Sequence, residues 1–485
     1  MATAQIQPQP AQTTRSGGMF RALAHRNYRL FWAGAFLSNA GTWMQTVAQS
    51  WLVLQLTDSG TWLGVDTFVG TAPGILLILI GGVIADKVDR KRLLIYTQAG
   101  AGLSALTLSL LVWTNTIRWK GDVRRASDVW MVLVLTFVTG CCWAISGPSY
   151  QAITVDLVER EDLANAIALN SSQFQLARVI GPTLAAVTMS LLGMAGCFFA
   201  NGLSYVAIVA ALTQVRFKRP SAVEEEAAAA ARLKTERGAM SDAAKSEDKT
   251  KAEDATKPGN VTKANGTKAN GTKAAAGGHG VAVEGRSMWL DLAEGFRYVR
   301  GRPRVRLVLV CSTMLGLFGS PYLVLMPLFA RNVYRWDEAG LSLLMGTAGA
   351  GALVGALLLA YLGDLRRKGL FLLGSLLSGG TCITGLASAG KVWVALPLLF
   401  GTGLSMVCFF ALGNTILQQL VTNEMRGRVM SMWILTIMGT MPVGALLSGA
   451  AADRFGPRPV LAACGLVIIL FGLAVGLRNP RLREI

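Results

Sequence analysis

Charge is scarce in this chain. Asp, Glu, Lys and Arg make up only 15% of its residues, whereas a soluble domain carries about 25%. Histidine is nearly missing, with only His25 and His279, and both lie outside the apolar runs. The seven cysteines, Cys141, Cys142, Cys197, Cys311, Cys382, Cys408 and Cys464, form no C-x-x-C pair and all sit within apolar runs. They read as small buried apolar residues, not as a disulfide framework or a metal site. The first 18 residues carry no apolar signal-peptide core, so no cleavable leader is expected. An intramembrane enzyme would need a nucleophile–base or metal constellation. With no histidine in the runs and no acidic pair at ligand spacing, none is present, and the expectation is no catalysis, no metal and no cofactor.

What the chain has is hydrocarbon. Hydrophobic residues make up 52% of it, gathered in two blocks, from about Tyr28 to Arg216 and from about Arg304 to Leu477. A span needs about 20 apolar residues to cross about 30 Å of hydrocarbon. Each block holds six such runs, centred near Asn39, Gly74, Ala105, Gly140, Ala177 and Tyr205, then Phe318, Gly349, Leu377, Met406, Ile437 and Leu466. The predicted fold is an all-α membrane protein of twelve transmembrane helices in two six-helix bundles joined by a disordered central loop. Two matched halves are the sequence trace of a duplicated transporter. The expected divisions are a cytoplasmic tail (1–27), the first bundle (28–216), a disordered cytoplasmic linker (217–285), an amphipathic cytoplasmic helix (286–303), the second bundle (304–478) and a short cytoplasmic tail (479–485).

The net charge of +18 would suggest nucleic acid in a soluble protein. Here Lys and Arg fall in short clusters between the runs, as the positive-inside rule expects, and nucleic-acid binding is excluded. Arg15, Arg21, Arg26 and Arg29, then Lys87 to Arg92, Arg366 to Lys368, Arg426, Arg428 and Arg478 to Arg483 place both termini in the cytoplasm. Arg118, Lys120, Arg124 and Arg125 violate the pattern, accompanied by Asp122 and Asp128. The linker is Glu/Ala-rich and then Lys/Thr/Ala/Gly-rich, with a tandem KANGTKANGT from Lys263. It buries too little apolar surface to fold. Its glycosylation-type triplets at Asn260, Asn265 and Asn270 read as chance matches in a cytoplasmic segment. Met288, Leu292, Phe296 and Val299 then recur at helical spacing beside Arg297 and Arg300. The spacing fits a helix on the inner membrane surface, or an extension of the seventh span.

Gly82-Val-Ile-Ala-Asp86-Lys87-Val-Asp89-Arg90-Lys91-Arg92 follows the second run. Gly82 permits close helix approach. Asp86 can accept hydrogen bonds at a neighbouring helix N-terminus or pair with Arg90. This stretch resembles the G-x-x-x-D-R-x-G-R-[RK] gate loop of the major facilitator superfamily, with Gly82, Asp86, Arg90 and Lys91 matching and Asp89 in place of the second glycine. A weaker copy, Asp364 with Arg366, Arg367 and Lys368, follows the eighth run. A third stretch, Gly449-x-x-x-Asp453-Arg454-x-Gly456-x-Arg458, falls on the opposite side and reads as a helix-ending turn. Ala177-Arg178-Val-Ile-Gly181-Pro182-Thr-Leu-Ala185-Ala186 resembles the family's antiporter motif at Gly181 and Pro182, with alanines for three glycines. Leu23 to Trp32, Asp162 to Asn170 and Arg426 to Ser431 resemble the exporter branch that includes the enterobactin exporter and drug-efflux proteins.

Arg178 lies about 20 Å along its span at 1.5 Å per residue, near mid-membrane. Such a charge faces a cavity or a partner; it can attract an anionic substrate or act as scaffolding, with Asp66 as a candidate partner. Asp66 and Asp156 are the candidate proton carriers. The resemblance further implies a relay Asp86–Arg90–Asp156. It also implies a pathway lined by Asn39, Trp43, Trp143, Tyr150, Phe318, Tyr322, Phe410 and Asn414. It implies export of small amphiphilic molecules, drugs or secreted metabolites, by alternating access, with the proton as coupling ion. The chain is expected to work as a monomer in the bacterial inner membrane, in contact with the lipid bilayer and a small-molecule substrate. A dedicated siderophore exporter and a non-transporting receptor are the alternatives. The orientation is testable: a fluorescent protein fused after Ile485 should fold and fluoresce, and alkaline phosphatase at the same point should be inactive. The reverse pattern overturns the assignment.

Overall fold

The computed structural model describes residues 20–119, 125–159, 161–215, 288–363 and 365–479. The predicted linker, Asp364 and most of both tails lie outside the described residues, as do the surroundings of Gly82 and the side chain of Asp86. The described residues within Met1–Arg216 and Gly295–Ile485 make one compact unit.

Among the described residues every regular element is helical. The first half contains α1 (Arg26–Thr57), α2 (Gly60–Lys87), α3 (Arg90–Trp113) and α4 (Val129–Leu157). The run Leu163–Gln214 is two helices, α5 and α6, which meet at Gly193. There φ is +68°, a value that L side chains avoid. The chain folds back so tightly that the Cys197 thiol reaches the Ala185 carbonyl. A separate helix, α7, covers Met288–Arg300. The second half contains α8 (Pro303–Val333), α9 (Glu338–Leu362), α10 (Lys368–Ser388), α11 (Val392–Leu420), α12 (Asn423–Phe455) and α13 (Pro457–Arg478). α8 is broken at Ser320 and Leu325 and ends in a π-turn. Among the described residues nine helices are long and apolar enough to cross a membrane. Counting α5 and α6 separately and adding α1 and α2 gives the expected twelve spans.

Alternate spans run in opposite senses, so each bundle end collects defined residues. The proximal face carries the start of α1 and the α2–α3 turn; the distal face carries the α1–α2 turn. The part of the predicted tail that is described docks on the proximal face. Arg21 and His25 each reach Asp162 at 2.8 Å. The Ala22 N–H donates to Asn165 at 2.9 Å, and the Tyr28 hydroxyl donates to the Ala166 carbonyl at 2.8 Å. The Trp32 indole donates to the Leu169 carbonyl at 3.2 Å. Two separate exporter-branch segments of the sequence are thus two sides of one interface. On α7, Gly295 and Val299 are buried while Phe296 is 63% exposed beside Arg297 and Arg300. Phe296 therefore does not share the buried face with Val299.

Lipid gives no hydrophobic drive to helix pairing, so small residues carry the close contacts. Ala177, Gly181 and Ala185, at i, i+4 and i+8, form a buried strip on α5. A Cβ on Gly181 would overlap the Trp43 Cβ and sit 2.8 Å from the Ala40 carbonyl. Gly181→Val should force α1 and α5 apart. Overpacking of this kind costs about 1–3 kcal/mol, and the check is a lower melting temperature of the purified protein in detergent. An unchanged melting temperature would contradict the tight α1–α5 contact.

Candidate functional site

At the proximal face Asp89 is the N-cap of α3, accepting from the N–H groups of Lys91 at 2.8 Å and Arg92 at 3.1 Å. Its φ is −54°, so the turn does not need the family's glycine. Arg90 pairs with Asp156 at 3.2 Å, and both are about two-fifths exposed, at 44% and 40%. The Lys91 ammonium donates to the carbonyls of Thr213 at 3.1 Å and Val215 at 2.7 Å, closing the open end of α6. These contacts stay within the first half. The Lys368 bond to Gln419 stays within the second.

The distal face is different. The Asp453 carboxylate, from the last turn of α12, sits at the N-terminus of α2 in the other half. It accepts from the Ser59 hydroxyl at 2.6 Å, the Gly60 N–H, the Thr61 N–H at 3.0 Å and the Thr61 hydroxyl at 2.6 Å. It thus caps a helix it does not belong to, and its charge faces the positive end of that helix. The backbones meet there because both helices carry small residues. A Cβ on Gly60 would lie 2.8 Å from the Gly449 carbonyl, and one on Gly64 would lie 2.6 Å from the Ala445 carbonyl. Beside it Arg331 pairs with Asp58 and donates to the Leu54 carbonyl at 3.4 Å, again joining the halves. Expected as a helix-ending turn, this stretch does end α12 and also lies against the other half. The signal was present, since Gly449–Asp453 repeats the G-x-x-x-D spacing of Gly82–Asp86 on the helix packed against it.

Between the faces, Arg178 on α5 reaches across the halves. Its guanidinium donates to the Tyr322 hydroxyl of α8 at 3.0 Å and stands 5.3 Å over the Trp43 ring of α1. Phe174 of α5 stands edge-on to Trp43, with ring centres 6.2 Å apart. Arg178 does not pair with Asp66. Asp66 accepts from Gln49 at 2.8 Å and from Thr136 at 3.1 Å. The Asp66 contacts continue through Gln49 and Gln45 (3.3 Å) to Asn201 (2.7 Å). This polar chain links α2, α4, α1 and α6, and the sequence reading did not single out Gln45, Gln49 or Asn201.

The remaining predicted lining residues separate. Asn39 and Gln173 approach the Tyr150 hydroxyl, and Phe31 packs on the Tyr150 ring at 5.2 Å. Trp143 is 56% exposed. Phe318 does not join Tyr322, although the two are four residues apart. Phe318 lines an apolar cavity of about 550 Å³ between α8, α12 and α13, whereas Tyr322 is buried against Arg178. Phe410 packs against Trp433 at 6.3 Å, and Asn414 accepts from Gln418 at 3.2 Å. Pro182 is buried on α5, next to Gly181. Among the described residues no cluster of three or more His, Cys, Asp or Glu could hold a metal.

Relatives share this architecture. The staphyloferrin A transporter of Staphylococcus aureus is 22% identical, covering 94% of this chain and 97% of that protein. Macrolide efflux protein A of Streptococcus pyogenes is 20% identical over 94% and 97%. The enterobactin exporter EntS of Salmonella typhimurium is 21% identical over 95% and 94%. Among solved structures, the nucleoside transporter NupG superposes with a TM-score of 0.63 at 11% identity, covering 93% of this chain and 99% of that one. A bacterial homologue of the human lysosomal transporter Spinster, inward-facing and unoccupied, gives 0.60 at 11% identity over 94% and 98%. These likenesses show the fold. The transmembrane secretion effector family matches residues 17–242 and 282–484, nearly all of both bundles. With twelve spans in two halves and its polar contacts at the seam between them, the chain is a multi-pass membrane transporter, not an enzyme, and belongs to the transmembrane secretion effector family of the major facilitator superfamily.

Proposed function

We propose that this protein exports small amphiphilic molecules, drugs or secreted metabolites, by alternating access, driven by protons entering in exchange. The observation that carries the reading is Arg178 at the seam, in contact with Trp43 of one half and Tyr322 of the other. A cargo bound there touches both moving parts. The second reading is a dedicated siderophore exporter, which the names of two relatives favour. The protein works as a monomer in the bacterial inner membrane with both termini in the cytoplasm.

In this orientation the distal face is external. Asp453 and Arg331 hold it closed in the described conformation. The Arg90–Asp156 pair, with Asp86 beside it in sequence, belongs to the cytoplasmic gate. The halves rock between two states in which one gate or the other is bonded. Asp66 is the proton carrier. Its Gln49 and Thr136 partners can serve the carboxylate as donors or accept from the protonated acid after rotating. The proton site and cargo site are adjacent on α1, where Trp43 and Gln49 lie less than two turns apart.

Two outcomes follow. In proteoliposomes, a pH gradient should drive uphill counterflow of a cargo such as a lipophilic cation or a siderophore. Asp66→Asn should leave downhill exchange but remove the response to the gradient; gradient-driven uptake in that variant overturns the proton assignment. Asp453→Asn should weaken the distal gate. A hydrogen bond to a charged group contributes about 1.5–3 kcal/mol, so the open population should rise by roughly tenfold or more. Spin labels placed at Thr57 and Arg454 in a cysteine-free background would report it as a longer distance; no change in the distance distribution would deny Asp453 a gate role.

A further inference from the structure

Arg178 is charged under all physiological conditions, because a guanidinium does not release its proton in proteins. Among the described residues no Asp or Glu pairs with it. Its nearest acidic candidate from the sequence, Asp66, is occupied by Gln49 and Thr136. The contacts it does make are neutral: one hydroxyl and one ring face. One hydrogen bond uses a single donor of five. A cation inside a bundle normally has a counter-charge or lines a pathway.

Phe174, one turn before Arg178 on α5, shares its side of the helix and stands edge-on to Trp43 at 6.2 Å. The cluster therefore offers a fork-shaped cation beside an edge-to-face aromatic pair, Trp43 and Phe174.

We infer that the exported cargo carries an oxyanion, such as a carboxylate, on a flat apolar body, and that Arg178 is the residue that selects it. This rests on the export reading above and narrows its substrate class. The guanidinium fork suits two oxygens of one anionic group in parallel. The aromatic wall made by Trp43 and Phe174 suits an apolar ring system beside it. A bound oxyanion competes with the Tyr322 hydroxyl for Arg178. Loading the site therefore acts on a bond between the halves.

The test is binding, which is separable from flux. The full-length protein in lipid nanodiscs is titrated calorimetrically with 2-naphthoate, its methyl ester and 2-naphthylmethylammonium. The acid should bind about tenfold or more tightly than the other two, a difference of the size one charge-assisted contact gives. Arg178→Gln should erase that preference, whereas Arg178→Lys should keep the order with a smaller margin. Tyr322→Phe removes the same bond between the halves without removing the charge, and should also keep the acid preferred. The inference is overturned by no binding of the acid, by equal binding of the ester or ammonium, or by an acid preference that survives Arg178→Gln. It is equally overturned if Tyr322→Phe erases the preference, which would make Arg178 a strut. Acid preference without any flux would sink the export reading alone, and flux without acid preference would sink only the oxyanion assignment.

Discussion

One carboxylate carries most of the polar bonding between the halves at the distal face. Asp453 accepts from Ser59, Gly60 and Thr61 of the opposite half. A bilayer supplies no hydrophobic force between its helices, so such contacts, together with close backbone packing, decide which surfaces stay together. Gly60 and Gly449 bring the two backbones into contact, and the exposed helix terminus of α2 supplies N–H groups that its own helix cannot satisfy. A covalent or purely apolar seam would hold one state. A capped helix end can be released and re-formed, because water can take over both the carboxylate and the N–H groups at the membrane surface.

The two halves share a topology but divide their chemistry unequally. The first half holds the chain from Asn201 through Gln45 and Gln49 to Asp66, and it also holds Arg178. In the second half the buried polar side chains are short hydroxyls, such as Ser312, Thr402 and Ser405, bonded within their own helix or to a neighbour. Between the two faces the charged groups Asp66 and Arg178 therefore lie in the first half, and the second half meets Arg178 with Tyr322, its own charges Asp453 and Arg331 being kept at the distal face.

Much of this was legible in the sequence. Apolar runs of span length placed all twelve helices, since the hydrocarbon thickness sets one length scale for every crossing. The close fit of α5 on α1 was legible from the small-residue spacing of Ala177, Gly181 and Ala185. Contacts between the halves were not, because they join residues hundreds of positions apart. Asp453 looked like a helix-ending residue because its partners, Ser59 to Thr61, lie in the other half. Phe318 and Tyr322 looked like one lining because they stand at helical spacing, but spacing says nothing of what packs opposite: Phe318 meets α12 and α13, and Tyr322 meets Arg178 of the other half. Asp89 looked like a defect in a glycine-bearing turn, and it is a helix cap.

The Lys91 clasp on Thr213 and Val215 has a mechanical corollary. Lys91 stands next to Arg90, so the exit point of the polypeptide from the first bundle is tethered to the α2–α3 turn. A displacement of either the end of α6 or the start of α3 therefore stretches this clasp on the other.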